Sequence, residues 1–457
     1  MSCCRRTSSR LLQGVGIAER QEFFEALESH GEQCMPRNNI ARKNFVRGIG
    51  LGAAMLGGGF PAFIPKMGEA SNVLKIGQIE ELTGAYAALS QNEKRGAALA
   101  VEWWNTKGGV MGRRVEVVVE DNQNNPGISV EKARKLVNQD KVAAMMGTLN
   151  SADSLATSNA CHDLGVLFID SGGHTDLISG EHCTWNTFQT PHTTWQLTHA
   201  TGFSIAKLFG KRWHLITPDY AFGHSLALGY ADVAKHIGGT IVENDLTPLG
   251  TTDFGPYLTK IAATKPDCVL ILVAGADWVN CLKQANQYGV LKSFPVAGPF
   301  IQLESVWAVP PEVRVGHWGT DWYYKGENVL GKGNAMAERF VAEYRKRYGQ
   351  PPAASGCESF TAMDRMLWAM NEAKSTDPVK CAKMLAGAPF HGLWEGAAEY
   401  RTVDHALQWP VWFGKLNPHG SPNDPYDVMH IVDRQEAAGT ALSPAEAGKI
   451  CNLAWPS

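Results

Sequence analysis

VAAMMGTLNSADSLA, residues 142–156, is the passage whose reading decides the fold. An apolar run stops at Gly147, crosses Thr148, Leu149 and Asn150, and opens at Ser151 into a helical pattern. Apolar runs without polar alternation mark strands covered on both faces. A strand leading directly into a capped helix is half of a βαβ unit, so the passage predicts a parallel sheet. Asn150 or Ser151 is expected to cap the helix. Helix starts have free N–H groups and partial positive charge, which makes Asn150 and Ser151 candidate partners for a carboxylate.

The same alternation extends in both directions. Strands are read at VLKIGQI, RRVEVVVED, VAAMMG, VLFIDS, RWHLIT, TIVEND, CVLILVA and FPVAG. Helices are predicted over 92–106, 128–138, 152–164, 194–209, 223–237, 254–264 and 277–288. They form two successive series, 72–190 and 194–322. Long helices at 335–348 and 358–373 follow, then strand-like GAAEYR and WPVWFGKL. The expected fold class is α/β, with two three-layer α/β lobes: 72–193 plus 323–390, and 194–322 plus 391–457.

Residues 41–71, ARKNFVRGIGLGAAMLGGGFPAFIPKMGEAS, have a basic start, a small-residue apolar centre and an A-x-A-like end at Gly68-Glu69-Ala70. That layout predicts an export signal cleaved near Ala70. It is twin-arginine-like, with Lys43 after Arg42, and a Sec route stays open. The apolar stretch from Ile49 to Ile64 is short and glycine-rich for a membrane anchor. Residues 1–34 precede an ordinary signal, and Met35 is a candidate start. Segment 1–70 is set aside from fold reasoning.

The composition is globular, 44% hydrophobic and 19% charged, and a net charge of −3 with no basic stripe excludes a nucleic-acid partner. The 14 Trp are assigned to the core. Three of the 10 Cys fall in 1–70, leaving an odd number for an oxidising compartment. Cys161 and Cys183 bracket one strand and could pair. Without a C-x-x-C, neither a zinc ribbon nor a redox motif is offered.

Open α/β sheets bind ligands beyond the carboxyl ends of their strands. After VLFIDS comes SGGHTD: Gly172 and Gly173 would let a ligand approach backbone N–H groups, and His174 or Thr175 would donate. After RWHLIT, PDYAFGHS brings Tyr220 and Phe222 to the opposite edge, with Phe300 from GPFIQ. Polar donors on one lobe thus face aromatic rings on the other.

Competing chemistries fare worse. His162, His174, His182, His192 and His199, with Cys161 and Cys183, crowd one region but lack H-x-x-x-H or C-x-x-C spacing. They are read as scattered surface histidines, with no metal and no cofactor expected. GENVLGKG (326–333) lacks the final hydroxyl of a P-loop. No G-x-S-x-G elbow is present, and Asp404-His405 lies far from any nucleophile, so a small-molecule hydrolase is a distant alternative.

KIGQIEELTGAYAALSQNEKRGAALAVEWWNTKGGVMGRRVEVVVEDNQNNPGISVEKARKLV resembles the opening of the leucine/isoleucine/valine-binding-protein family. GTLNSADSLA, GVLFIDSGGHTD, DYAFGHSLA and LKQANQYG continue the likeness in order, over about 72–430. The resemblance implies a type I periplasmic-binding-protein fold, with lobes joined by a three-strand hinge. It also implies an extracytoplasmic, non-enzymatic solute receptor that delivers ligand to ABC permease subunits in the inner membrane. A ligand sensor of the same fold is the alternative. Carried over by position, Ser151 would hold the ligand carboxylate, Gly172 and His174 would donate at the next strand end, Thr194 would lie near a polar crossover position, and Phe222 would close as an aromatic lid beside Tyr220. Two positions depart: Pro299 and Phe300 stand where the amino-acid receptors place an acid against the ligand ammonium, and Ala274 where they carry an aromatic. An apolar or aromatic carboxylate, or an amide, is therefore expected over a branched-chain amino acid. Asn150 and the Gln123/Asn124 region replace a cysteine pair of the family, so that disulfide is expected to be missing.

Overall fold

The computed structural model describes residues 72–456; the expected export segment 1–70 lies outside them. The strands run in chain order as β1 Val73–Glu80, β2 Arg114–Asp121, β3 Ala144–Gly147, β4 Leu167–Asp170, β5 Thr187–Gln189, β6 Arg212–Pro218, β7 Thr240–Thr247, β8 Cys268–Ile271, β9 Val296–Gly298, β10 His317–Thr320, β11 Phe390–His391, β12 Ala397–Tyr400, β13 Leu407–Gln408, β14 Val411–Leu416 and β15 Met429–Gln435. The principal helices are α1 Ala87–Thr106, α2 Pro126–Asn138, α3 Ser151–Leu164, α4 Thr194–Phe209, α5 Ala221–Ile237, α6 Gly275–Gln287, α7 Ala335–Tyr348, α8 Ala354–Ala373, α9 Pro378–Leu385 and α10 Pro444–Ile450.

The first lobe is built on a parallel sheet of order β2-β1-β3-β4-β5. The second sheet, β15-β14-β10-β9-β8-β6-β7, is parallel from β10 to β7 and takes β14 and β15 antiparallel at its edge. Every residue of β3, β4 and β8 is buried, as helices on both faces require. Helices α7 and α8 return to the first lobe. Helix α8 lies so close on α1 that a Cβ at Gly96 would stand 2.1 Å from the Gly356 carbonyl oxygen. Seven tryptophans (Trp213, Trp278, Trp318, Trp322, Trp394, Trp409 and Trp412) are fully buried, so the core claims at least half of that residue type.

Several expectations shift. Strands β5, β10 and β15 carry no strong sequence signal: the first two have three and four residues, and β15 interleaves charge. The helix expected over 254–264 is two single turns, Gly255–Leu258 and Ile261–Thr264. The stretch 391–457, expected with the second lobe, divides. Strands β14 and β15 join the second sheet, but the small sheet β11-β12-β13 leans on the first lobe, where Gln189 bridges Ala406 and Thr190 hydrogen-bonds the Tyr400 hydroxyl at 2.8 Å. The tail returns there too: Cys183 is bonded to Cys451, 268 residues further on. Cys161 is therefore not its partner. It is a free thiol wholly buried on α3, a placement that spacing along the chain cannot show.

Candidate functional site

The turn after β3 is held from inside by an acid that the sequence reading passed over. The Glu81 carboxylate accepts the Leu149 and Asn150 N–H groups at 2.9 and 3.2 Å and the Asn122 amide at 3.0 Å. Asn150 is the helix cap, its side chain accepting from the Ala152 N–H at 2.8 Å. Its amide donates to Asn124 Oδ1 at 2.8 Å, so a hydrogen bond joins the positions where the resembled family has a cysteine pair. Ser151 is thereby freed for another task. Its hydroxyl oxygen accepts the His174 and Thr175 N–H groups at 3.1 and 3.2 Å, which joins the two strand ends.

The glycines of the next strand end work differently from the expectation. The Gly173 N–H donates to the buried Asp170 carboxylate at 3.0 Å, and the Gly172 amide favours the same carboxylate. A Cβ at Gly172 would meet Glu93 Oε1 at 2.3 Å, and one at Gly173 would meet Ser154 Oγ at 2.4 Å. Close packing by itself requires glycine at both positions. Burial raises the Asp170 carboxyl, and those amide donors work against it.

His174 is the meeting point of the expected site. Its carbonyl accepts the Thr194 N–H at 2.8 Å, and its ring lies 4.8 Å from Phe300 and 6.0 Å from Phe222. Phe222 and Phe300 are edge-to-face at 5.7 Å, and Tyr220 lies 6.0 Å from Phe222. The Thr194 hydroxyl is buried with no hydrogen-bond partner among the described residues. Burial lowers the His174 imidazole, which favours its neutral form. The lobes touch around this cluster: Tyr86 and Tyr220 hydroxyls at 2.5 Å, Thr175 and Ser225 hydroxyls at 2.8 Å, and Ser355 to Glu304 at 2.8 Å.

The histidines are not all at the surface. His162 and His182 are exposed, but His174 and His192 are buried, and both belong to the region where the lobes join. The chain passes between lobes near 190–193, 321 and 409. His192 touches all three passages: Nδ1 lies 2.6 Å from Asp321 Oδ1, Nε2 lies 3.2 Å from the Trp409 carbonyl oxygen, and the ring stacks on Trp409 at 4.2 Å.

Acids that the sequence reading did not single out also converge here. A ring nitrogen of His174 and one carboxylate oxygen each of Asp321 and Glu358 lie within 4.8 Å of one another, all buried. Carboxyl groups therefore do stand beside His174, supplied by a passage and a helix rather than by position 299 or 300. Burial raises the Glu358 carboxyl, and the neighbouring Asp321 and Glu93 carboxyls raise it further. A charged residue amid the small and apolar ones of SGCESFTAM was the one available signal.

Two α/β lobes hinged at three passages, with ring and hydroxyl edges facing each other, define a clamshell solute-binding protein. Residues 73–421 match the family model described as periplasmic binding protein, and the chain belongs to that family. It is 26% identical over 348 residues to Leu/Ile/Val-binding protein homolog 7 of Brucella suis biovar 1, covering 73% of this chain and 84% of that protein. A periplasmic binding protein from Burkholderia mallei superposes with a TM-score of 0.76 at 25% identity, over 83% of this chain and 98% of the other. A solute binding protein of an ABC transporter from R. palustris, solved with benzoate, gives 0.70 at 21% identity, over 83% and 100%. No helix among the described residues is long and apolar enough to cross a membrane.

Proposed function

We propose that the chain is the solute receptor of an ABC importer, exported across the inner membrane by its N-terminal signal and handing its ligand to permease subunits. It carries out no reaction; its work is binding and closure. The solute is a small amino-acid-like compound, an amide, or an apolar or aromatic carboxylate. The observation that carries this reading is the cluster at His174, where rings from one lobe, Phe222 and Phe300, meet the Ser151-linked strand ends of the other. Thr194, with its unpartnered buried hydroxyl, supplies a polar contact beside them. Asn150, Gly172 and Gly173 shape the polar edge, and Ser151, whose oxygen accepts the His174 and Thr175 N–H groups, keeps its hydroxyl hydrogen to donate to the solute.

His174, Phe222 and Phe300 are all at most 9% exposed, so a solute reaches them only when the lobes part. Contacts made to both edges then favour the shut form by their difference between the two states. The benzoate-bound relative supports an aromatic acid as the first compound to try. Titration calorimetry with benzoate, benzamide and leucine is the test. Benzoate or benzamide should bind at least tenfold tighter than leucine; tightest binding by leucine would overturn the aromatic assignment.

A further inference from the structure

We infer that His174, Asp321 and Glu358 form a binding site for one divalent transition-metal cation, of the Zn²⁺ or Mn²⁺ kind, where the two lobes meet. The donors converge from three elements, the end of β4, the passage after β10 and helix α8, and their atoms lie within 4.8 Å of one another. They are 4%, 0% and 1% exposed. One imidazole with two carboxylates is a donor set suited to such cations, whereas Ca²⁺ and Mg²⁺ favour oxygen alone.

A single residue orients two of the three. His174 Nδ1 lies 2.8 Å from the His192 carbonyl oxygen, so it carries its proton there and leaves Nε2 to donate. His192 Nδ1 holds Asp321 Oδ1 at 2.6 Å, leaving Oδ2 without a hydrogen-bond partner among the described residues. Outer partners of this kind fix the tautomer and direction of metal ligands. Glu358 goes further, since neither of its buried oxygens has a hydrogen-bond partner among the described residues. Those residues form no Lys or Arg ion pair with Asp321 or Glu358. Buried carboxylates are normally paired, protonated or bound to a cation. A bound cation would supply the partner that Asp321 Oδ2 and both Glu358 oxygens lack, and no electron moves.

The inference goes beyond the receptor reading and does not depend on which solute is carried. Full-length protein prepared without a histidine tag would be stripped with chelator and titrated with Zn²⁺, Mn²⁺ and Ca²⁺ by calorimetry, with native mass spectrometry for stoichiometry. One Zn²⁺ or Mn²⁺ per chain is expected, with affinity falling at least about tenfold in Glu358→Gln and in Asp321→Asn, since losing even an outer partner of a metal ligand has an effect of that size. X-ray absorption of the zinc-loaded wild type, which needs no variant to fold, should show a nitrogen and oxygen shell with one imidazole. Absence of stoichiometric binding to stripped, folded protein would overturn the inference, and so would a sulfur-containing shell or unchanged affinity in folded Glu358→Gln. Solute binding by the stripped protein, measured alongside, tests the receptor reading separately.

Discussion

His192 Nδ1 stands 2.6 Å from Asp321 Oδ1, both side chains wholly shielded from solvent, and the contact ties the first passage between the lobes to the second. Its other nitrogen faces the Trp409 carbonyl oxygen of the third. Removing one partner of a buried polar pair leaves the other desolvated and unpaired, which costs about 3–5 kcal/mol. His192→Phe keeps the stacking on Trp409 and loses both polar contacts. Its stability, read from the denaturant midpoint at unchanged slope, should fall by about that amount. A loss below about 1 kcal/mol would show that the passages are not held this way.

Glu304 sets a pH dependence. Burial raises its carboxyl to about 7, while Ser355 donates to it at 2.8 Å and offsets part of the shift. Above about pH 7 both folded and unfolded states carry the charge, and the fold bears the full desolvation cost. As pH falls from about 7 towards the ordinary carboxylate range, the folded state takes up its proton first and that cost is relieved. Glu304→Gln should therefore be more stable than wild type at pH 8, by up to about 3 kcal/mol, and lose the advantage by about pH 4.5. Thermal melts of both proteins across this range check the sign; an advantage that grows in acid would refute it.

The Cys183–Cys451 bond closes a loop of 268 residues and pins the tail to the first lobe, where Trp455 lies 6.1 Å from Trp185. Cross-links over long loops typically contribute about 2–5 kcal/mol. Cys451→Ser should lose an amount in that range, and reductant should bring wild type to the same midpoint. Equal stability of oxidised wild type and variant would argue that the tail is not restrained by the bond.

The two lobes were legible because their strands are long or wholly apolar: VLKIGQI, CVLILVA and the opening VAAMMG each announce a covered strand. What stayed hidden was set by contacts distant in sequence. Glu81, at the end of a strand that reads well, anchors the β3–α3 turn through amides 68 and 69 residues away. Asp321 follows β10, too short to read as a strand, and Glu358 sits inside an ordinary helical pattern. His192 looked like one of several scattered histidines because only the fold brings 321 and 409 to it. The aromatic edge was easier to read, since Tyr220, Phe222 and Phe300 stand directly at strand ends, where α/β sheets place their ligands.

Calorimetry on Phe222→Leu, with whichever of benzoate or benzamide binds wild type more tightly, tests the trapping of a solute between the two edges most directly. Leucine keeps the apolar volume that α5 buries and removes the ring lying beside His174 and Phe300. An aromatic contact contributes about 0.5–1.5 kcal/mol beyond its buried area, so the affinity should fall about twofold to tenfold, with closure otherwise intact. An affinity indistinguishable from that of wild type would mean that the solute does not sit between these lobes.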